Sequence, residues 1–168
     1  MRPEIIGYTL GFIDAEGSFS VSIKLQSDVA YGVRADPVFS ITQREREPLE
    51  ILAKVIGAGR IIKKPGQKHL WLFIIDNMKE LRAKLIPFLD RHTDMLLVKR
   101  KTYEIFREIV LRLARGEHRN LNGLREIIIL AYKLSELNPK ARRRKGLNQV
   151  LKIISSRAAE RGEPPGGR

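Results

Sequence analysis

The chain has no cysteine. Disulfides, thiolate zinc sites and cysteine nucleophiles are therefore excluded. Histidine is also scarce: His69, His92 and His118 lie too far apart to share a ligand spacing. Any metal is expected on oxygen donors, which favours Mg²⁺, or Mn²⁺ as a similar hard cation. No apolar run approaches the roughly 20 residues that cross a bilayer. The opening MRPEIIGYTLGF carries an acid early and has no convincing h-region or cleavage site. No signal peptide is read, no membrane partner is expected, and the cytoplasm is the default compartment (an organelle in a eukaryote). Asparagine and glutamine are few while 30% of residues are charged, a compositional hint of a hot habitat.

What is present is apolar residues in number and a surplus of one charge. Hydrophobic residues make up 43% of 168, enough for one domain with a core. The net charge is +13. Residues 1–90 hold 13 Lys and Arg against 11 Asp and Glu, and residues 91–168 hold 19 against 8. Such a surplus implies a polyanionic partner, most often nucleic acid. No small-molecule substrate is implied.

Periodicity gives the elements. Residues 3–16 suit a helix, with Pro3 and Glu4 in its first turn and Ile5, Ile6, Leu10 and Ile13 able to share a face. Gly7 and Gly11 lie on one stripe of it, where another backbone can approach closely. Gly17 is expected to stop this helix as a glycine C-cap. From Ser18 to Gln26 polar and apolar residues alternate, so a strand with one wet face is expected. A second strand covers about 33–43, with Pro37 suggesting an edge or a bulge. A short helix follows at 47–56, then strands at about 60–64 and 68–75 joined by a Pro-Gly turn. Asn77 looks like the N-cap of a helix over 78–89, with a break near Pro87. Helices are expected over 97–115, 121–136 and 147–161, and a disordered tail at 162–168. The fold class is therefore α+β: an αββαββα core with a four-stranded antiparallel sheet, plus C-terminal helices. A single domain over 1–161 is expected, its core at about 3–110.

Asp14 and Glu16 stand at the C-terminal end of the first helix. That end carries about half a negative charge, so acids there are disfavoured by about 0.3–1 kcal/mol each. Two residues apart on a helix, they point in different directions. The arrangement makes sense if a cation sits at this end. Helix-end carbonyls, one carboxylate and a phosphate oxygen would complete a hard-ion site. The other carboxylate could hold backbone N–H groups of the turn. Taken alone, a structural or incidental pair remains an equal reading.

The stretch TLGFIDAEG, Thr9 to Gly17, resembles the signature of the LAGLIDADG homing endonucleases. Gly11, Ile13, Asp14, Ala15 and Gly17 match it letter for letter. Glu16 replaces the second Asp and keeps the carboxylate, while Thr9 and Leu10 depart at packing positions. The resemblance, over about residues 3–110, implies a Mg²⁺-dependent endonuclease that cuts both strands of double-stranded DNA. One copy of the motif implies a homodimer with a long, near-palindromic target. Gly7, Leu10 and Gly11 would line the contact between the paired motif helices. Glu16 would hold the metal with the Ala15 carbonyl, and Asp14 would support the turn. The resemblance further places Gln43 near the attacking water, with Arg44 or, preferred here, Arg46 as an accompanying cation. Lys99 matches an active-site lysine best, with Lys101 as runner-up and otherwise a DNA contact.

The strand rows expected to face DNA are Ser18, Ser20, Ser22, Lys24 and Gln26, then Arg34, Asp36, Val38, Ser40 and Thr42. In the second hairpin they are Arg60, Ile62 and Lys64, then Gln67, His69 and Trp71. Arg, Lys and Gln can pair with purine edges, and Asp36 can accept from cytosine. Trp71 is either core or a contact to a thymine methyl or sugar. The basic loop KARRRKG, with Lys140, Arg142, Arg143 and Arg144, is expected on phosphates. A non-catalytic binder (an intron RNA maturase or a repressor) and a ribosome-associated protein also explain the charge. The retention of Asp14, Glu16, Gln43 and Lys99 favours the nuclease.

Overall fold

A computed structural model describes residues 2–138, 141, 143 and 145–164. Of the expected tail, residues 165–168 lie outside the described residues. Helix α1 (Pro3–Glu16) leads into strands β1 (Ser18–Leu25) and β2 (Val33–Gln43). Helix α2 (Glu47–Ile56) and strands β3 (Arg60–Lys64) and β4 (Gln67–Ile75) repeat the pattern. A broken helical stretch follows: α3 (Met78–Glu80), a π-helical turn (Leu81–Leu85) and α4 (Ile86–Asp90). Then come α5 (Arg100–Ala114), α6 (Leu121–Glu136) and α7 (Leu147–Glu160). The four strands form one antiparallel sheet in the order β1-β2-β4-β3. The α+β class and the element order agree with the expectation from sequence.

The chain divides into two compact units. The first takes the residues up to Phe19 with Val38–Glu104, and the second takes Ser20–Pro37 with the residues from Ile105 onward. In the first unit Phe19, Phe39, Phe73 and Tyr103 form a chain of ring contacts, at 5.0 Å (Phe19–Phe39), 6.2 Å (Phe39–Phe73) and 5.6 Å (Phe19–Tyr103) between centroids. Leu10, Ile13, Leu49, Leu52 and Leu81 are buried with them. Burying a side chain of this size contributes about 1.5–3 kcal/mol. The Tyr103 hydroxyl donates to the Ile86 carbonyl at 3.1 Å and to Asp90 at 2.6 Å, so its burial leaves no polar group stranded. In the second unit the apolar faces of α6 (Leu124, Ile127, Ile128, Ala131) and α7 (Val150, Ile154, Ala158) are buried. Contact between these two helices closes that core.

Gly17 ends α1 as expected, while Pro37 and the helix over 78–90 differ from the sequence reading, each for a physical reason. As the C-cap, Gly17 has an extended backbone, with φ −62° and ψ 136°. Glycine is needed because a Cβ there would collide with the Ile13 carbonyl oxygen and come within 3.2 Å of the Phe39 ring. Pro37 lies in β2, an inner strand, and the alternation of burial runs through it without a bulge. It is tolerated because β4 ends at Ile75, opposite Phe39, so β2 has no β4 partner at Pro37. The helix over 78–90 is not merely kinked at Pro87. It widens by one π turn at Leu81–Leu85, where the Ile86 N–H reaches the Leu81 carbonyl. Pro87 has no N–H to bond the Ala83 carbonyl and its ring would press on it, and the wider turn relieves that clash. The Asn77 cap is present: its side chain accepts from the Lys79 N–H at 2.9 Å.

Candidate active site and nucleic-acid face

Helix α1 ends with its two carboxylates pointing to different places. Asp14 turns inward and is 8% exposed. Its Oδ1 accepts from the backbone N–H of Val98 at 2.9 Å and of Lys99 at 2.8 Å, and Oδ2 accepts from Val98 at 3.1 Å. The expectation of backbone support holds, but the backbone lies 84 residues away rather than in the local turn. Lys99 is the cap of α5, since its carbonyl accepts from the Tyr103 N–H at 2.8 Å. Asp14 thereby places an acid at the start of α5, where the helix dipole favours it. α5 accordingly begins at Arg100 and not at Leu97, with Lys99 as its cap.

Glu16 turns outward and is exposed, as is Ala15. The last turn of α1 carries no basic residue. Its final i→i−4 bond ends at the Ile13 carbonyl, through Gly17 N–H at 2.8 Å. The helix end therefore presents negative potential, one free-facing carboxylate and late carbonyls. That donor set fits a hard divalent cation. Among the described residues no three acidic or histidine side chains cluster. Lys99 is half-buried at the start of α5, and Lys101 is exposed in its first turn.

The other predicted catalytic residues gather at the far end of β2. Gln43 lies directly opposite Trp71 in the β2–β4 ladder, and Trp71 lies opposite Lys63 in the β3–β4 ladder. Directly opposed residues share a face of the sheet. Arg46, the cap residue of α2, sets its guanidinium carbon 4.9 Å from the centre of the Trp71 ring and pairs with Glu50 at 2.7 Å. Lys63 sets its ammonium 3.6 Å from the same ring.

This register corrects the row read for β4. Ile41 opposes Phe73 and Phe73 opposes Ile61, the covered side of the sheet. Trp71 and Gln43 continue that covered row at its end. The open rows of the first unit are Ser40–Ile74–Arg60 and Thr42–Leu72–Ile62. So Arg60, Ile62, Ser40 and Thr42 face as expected, whereas Trp71 does not share their face. Leu72 and Ile74, which the sequence reading passed over, do. A register shift between Lys63 and Lys64 separates Lys64, Gln67 and His69 from these rows; they sit about the Pro65–Gly66 turn. Gly66 has φ +75°, the value that the second corner of such a turn needs. Arg60 is held bidentately by Asp76, with Nη2 2.7 Å from Oδ2.

In the second unit the alternation is as read. Val21, Val33 and Ala35 are buried, while Ser22, Lys24 and Arg34 are exposed and Ser20, Gln26 and Asp36 half-exposed. In the first unit Ser18 and Val38 are likewise half-exposed. Asp36 does more than offer an acceptor. Arg34 grips it bidentately, each contact at 2.8 Å, and Lys24 lies 2.8 Å from Oδ2. Burial pushes its pKa up, but the bonds from Arg34 and Lys24 outweigh that and hold it below the usual carboxylate range. Asp36 thus fixes two cations in place.

Lys140, Arg142 and Arg144 lie outside the described residues. Arg143 is not presented to solvent as a free cation. It donates to the Ser135 hydroxyl at 2.8 Å and the Ala131 carbonyl at 2.9 Å, over the Tyr132 ring at 4.8 Å. It ties the loop to the end of α6. Along α1, a Cβ added at Gly7 or Gly11 would meet nothing within 4 Å, whereas Leu10 is 2% exposed in the protomer's own core. The open stripe is therefore formed by the glycines and not by Leu10. Thr9 is also buried, its hydroxyl returned to the Ile5 carbonyl at 2.8 Å.

The sequence model of the LAGLIDADG endonucleases matches residues 9–110, more than half of the chain. This chain belongs to the LAGLIDADG endonuclease family. It is 46% identical over 164 residues to homing endonuclease I-ApeII of Aeropyrum pernix, covering 96% of each chain. Among solved structures it is similar to the archaeal intron-encoded homing endonuclease I-Vdi141I in complex with DNA, at 49% identity and a TM-score of 0.89 over 92% of this chain and 96% of that one. It is also similar to homing endonuclease I-TnaI, at 28% identity and a TM-score of 0.75 over 92% and 98%. As a LAGLIDADG chain it carries its signature on α1, whose glycines are open and whose two acids are divided between a structural bond and an exposed donor.

Proposed function

We propose that this protein is a homing endonuclease that acts as a homodimer and hydrolyses both strands of a long, near-palindromic DNA site. The observation that carries the reading is the division of labour at the end of α1. Asp14 is spent on the start of α5, which frees Glu16 as the exposed acid at an uncompensated helix end. The comparisons support the substrate: both the 46% and the 49% identical relatives are named homing endonucleases, the latter in complex with DNA.

Glu16 and the Ala15 carbonyl are the groups that would hold a divalent cation. A bound Mg²⁺ stabilises charge on phosphate oxygens and makes a bound water more acidic. Lys99, its backbone fixed by Asp14, offers a cation to the charge that builds on the phosphate. Gln43 can orient a water through its amide, as donor or acceptor. No side chain needs to form a covalent intermediate. The even rows of β1 and β2 and the open rows of β3 and β4 supply polar and cationic groups for the bases and backbone.

Dimer formation has two supports. The glycine stripe of α1 leaves room for a second backbone. Beside the Asp14 clamp, Leu97 and Val98 are 80% and 73% exposed, an apolar pair that a second copy would cover. Among the described residues no helix is long and apolar enough to cross a membrane.

The test is cleavage of a randomised plasmid library in Mg²⁺ by the wild type and by Glu16→Gln, with sequencing of the ends. Paired cuts at one long near-palindromic site are expected, lost by about 10³-fold or more in the variant while DNA binding persists. Binding without cuts by either protein would overturn the nuclease reading and favour a maturase or repressor.

A further inference from the structure

Trp71 is the only tryptophan in the chain. Its strand-mates Phe73 and Ile75 are fully buried, but it is not. It stands where the covered row passes beyond the core, between Gln43 on one flanking strand and Lys63 on the other. The Lys63 ammonium lies 3.6 Å from its ring centre and the Arg46 guanidinium carbon 4.9 Å. Both are well within the range of cation–π attraction. Arg46 is further held by Glu50, whereas among the described residues Lys63 makes no ion pair. The ring is thus what keeps Lys63 from swinging freely, and it fixes the direction of Arg46.

We infer that Trp71 is a positioning residue for strand cleavage: it holds Arg46 and Lys63 as a fixed pair of cations beside Gln43, aimed at a DNA phosphate. The inference rests on the endonuclease reading. Its physical content is electrostatic. Two like charges brought to one place repel, and the negative face of an indole offsets that without neutralising them, as a carboxylate would. The pair therefore reaches the phosphate already ordered, Lys63 by the ring with no carboxylate on it among the described residues, and Arg46 by the ring together with Glu50. Ordering matters most where charge is largest, in the transition state, so the effect belongs to the chemical step more than to binding.

A sole tryptophan can be replaced by fluorinated tryptophans throughout the protein without touching another residue. Fluorine drains the face of the ring while barely changing its size. Single-turnover cleavage at saturating enzyme and the DNA dissociation constant are measured in parallel, for tryptophan, 5-fluorotryptophan and 5,6,7-trifluorotryptophan proteins and for Trp71→Phe and Trp71→Leu. The cleavage rate is expected to fall stepwise along the fluorine series and by about tenfold in Trp71→Leu, with Trp71→Phe within about threefold of wild type. Affinity should stay within about twofold. In an Arg46→Gln/Lys63→Gln background the fluorine series should be flat, since nothing is left to hold. The emission of Trp71 should also change in the free protein when either cation is removed.

A flat series in an otherwise active wild-type background overturns the inference. So does affinity that weakens in step with the rate, which would make the ring a direct DNA contact. A wild type that cuts no DNA removes the endonuclease reading and this role with it, an outcome plainly different from an active enzyme with a flat series. Trp71→Leu that fails to fold does not rescue the idea, because the fluorinated proteins keep the ring and still decide it.

Discussion

Asp14 shows how one carboxylate serves a site without touching its chemistry. It makes three hydrogen bonds to two backbone N–H groups that begin α5, and through them it sets where Lys99 starts. Removing it leaves those part-buried N–H groups without their acceptor. A buried donor stranded in this way costs about 1–3 kcal/mol. Asp14→Ala should therefore lower the unfolding free energy by about that amount in a denaturant titration. It should also slow cleavage, with Glu16 still in place. A variant as stable as wild type would mean that the clamp is dispensable. Glu16, two residues on, is predicted to behave oppositely: Glu16→Gln should cost activity and little stability, because the side chain is exposed.

At the scale of the element, α1 is a helix compromised for another purpose. Two glycines in its interior cost about 1 kcal/mol each relative to alanine. Nothing in the protomer needs them, since a Cβ at either position meets open space. The double variant Gly7→Ala/Gly11→Ala should therefore fold into a more stable protomer, by up to about 2 kcal/mol. The same change should weaken the dimer, because two methyl groups would hold the paired helices apart. Sedimentation over a dilution series checks the second effect and thermal unfolding of the dilute monomer the first. A dimer unchanged by the methyl groups would remove α1 as the seam. Gly59 shows the reverse economy. Its φ is +88°, and a Cβ there would stand 2.5 Å from the Phe73 ring, so at that position glycine serves the protomer itself.

At the scale of the whole molecule the governing quantity is charge. A net +13 on 168 residues is not needed for a core and works against compaction. It is explained by a polyanion. Counterion release then makes DNA affinity steeply dependent on salt, with a loss of about 10³-fold or more between about 50 and 200 mM if six or more phosphates are contacted. A binding titration across salt concentrations measures this directly. A flat dependence would mean that the charge serves something other than DNA.

Much of this was legible in the sequence. The alternation in β1 and β2 told inside from outside because each of those strands has one wet face. The same reasoning misplaced Trp71 because HLWLFII offers no alternation. With both faces of β4 apolar, parity has no signal, and only pairing with Gln43 and Lys63 shows which way the ring points. Arg143 read as one more phosphate contact in a basic run, since nothing local reveals that the Ala131 carbonyl lies within its reach. The sequence by itself determined the class of fold, the charge and the signature at Thr9–Gly17, because composition and local periodicity act over a few residues. Tertiary structure alone decided which acid is buried and which exposed, and which cations share a ring. Those depend on chain segments up to 85 residues apart meeting across a core, and no local pattern encodes that meeting.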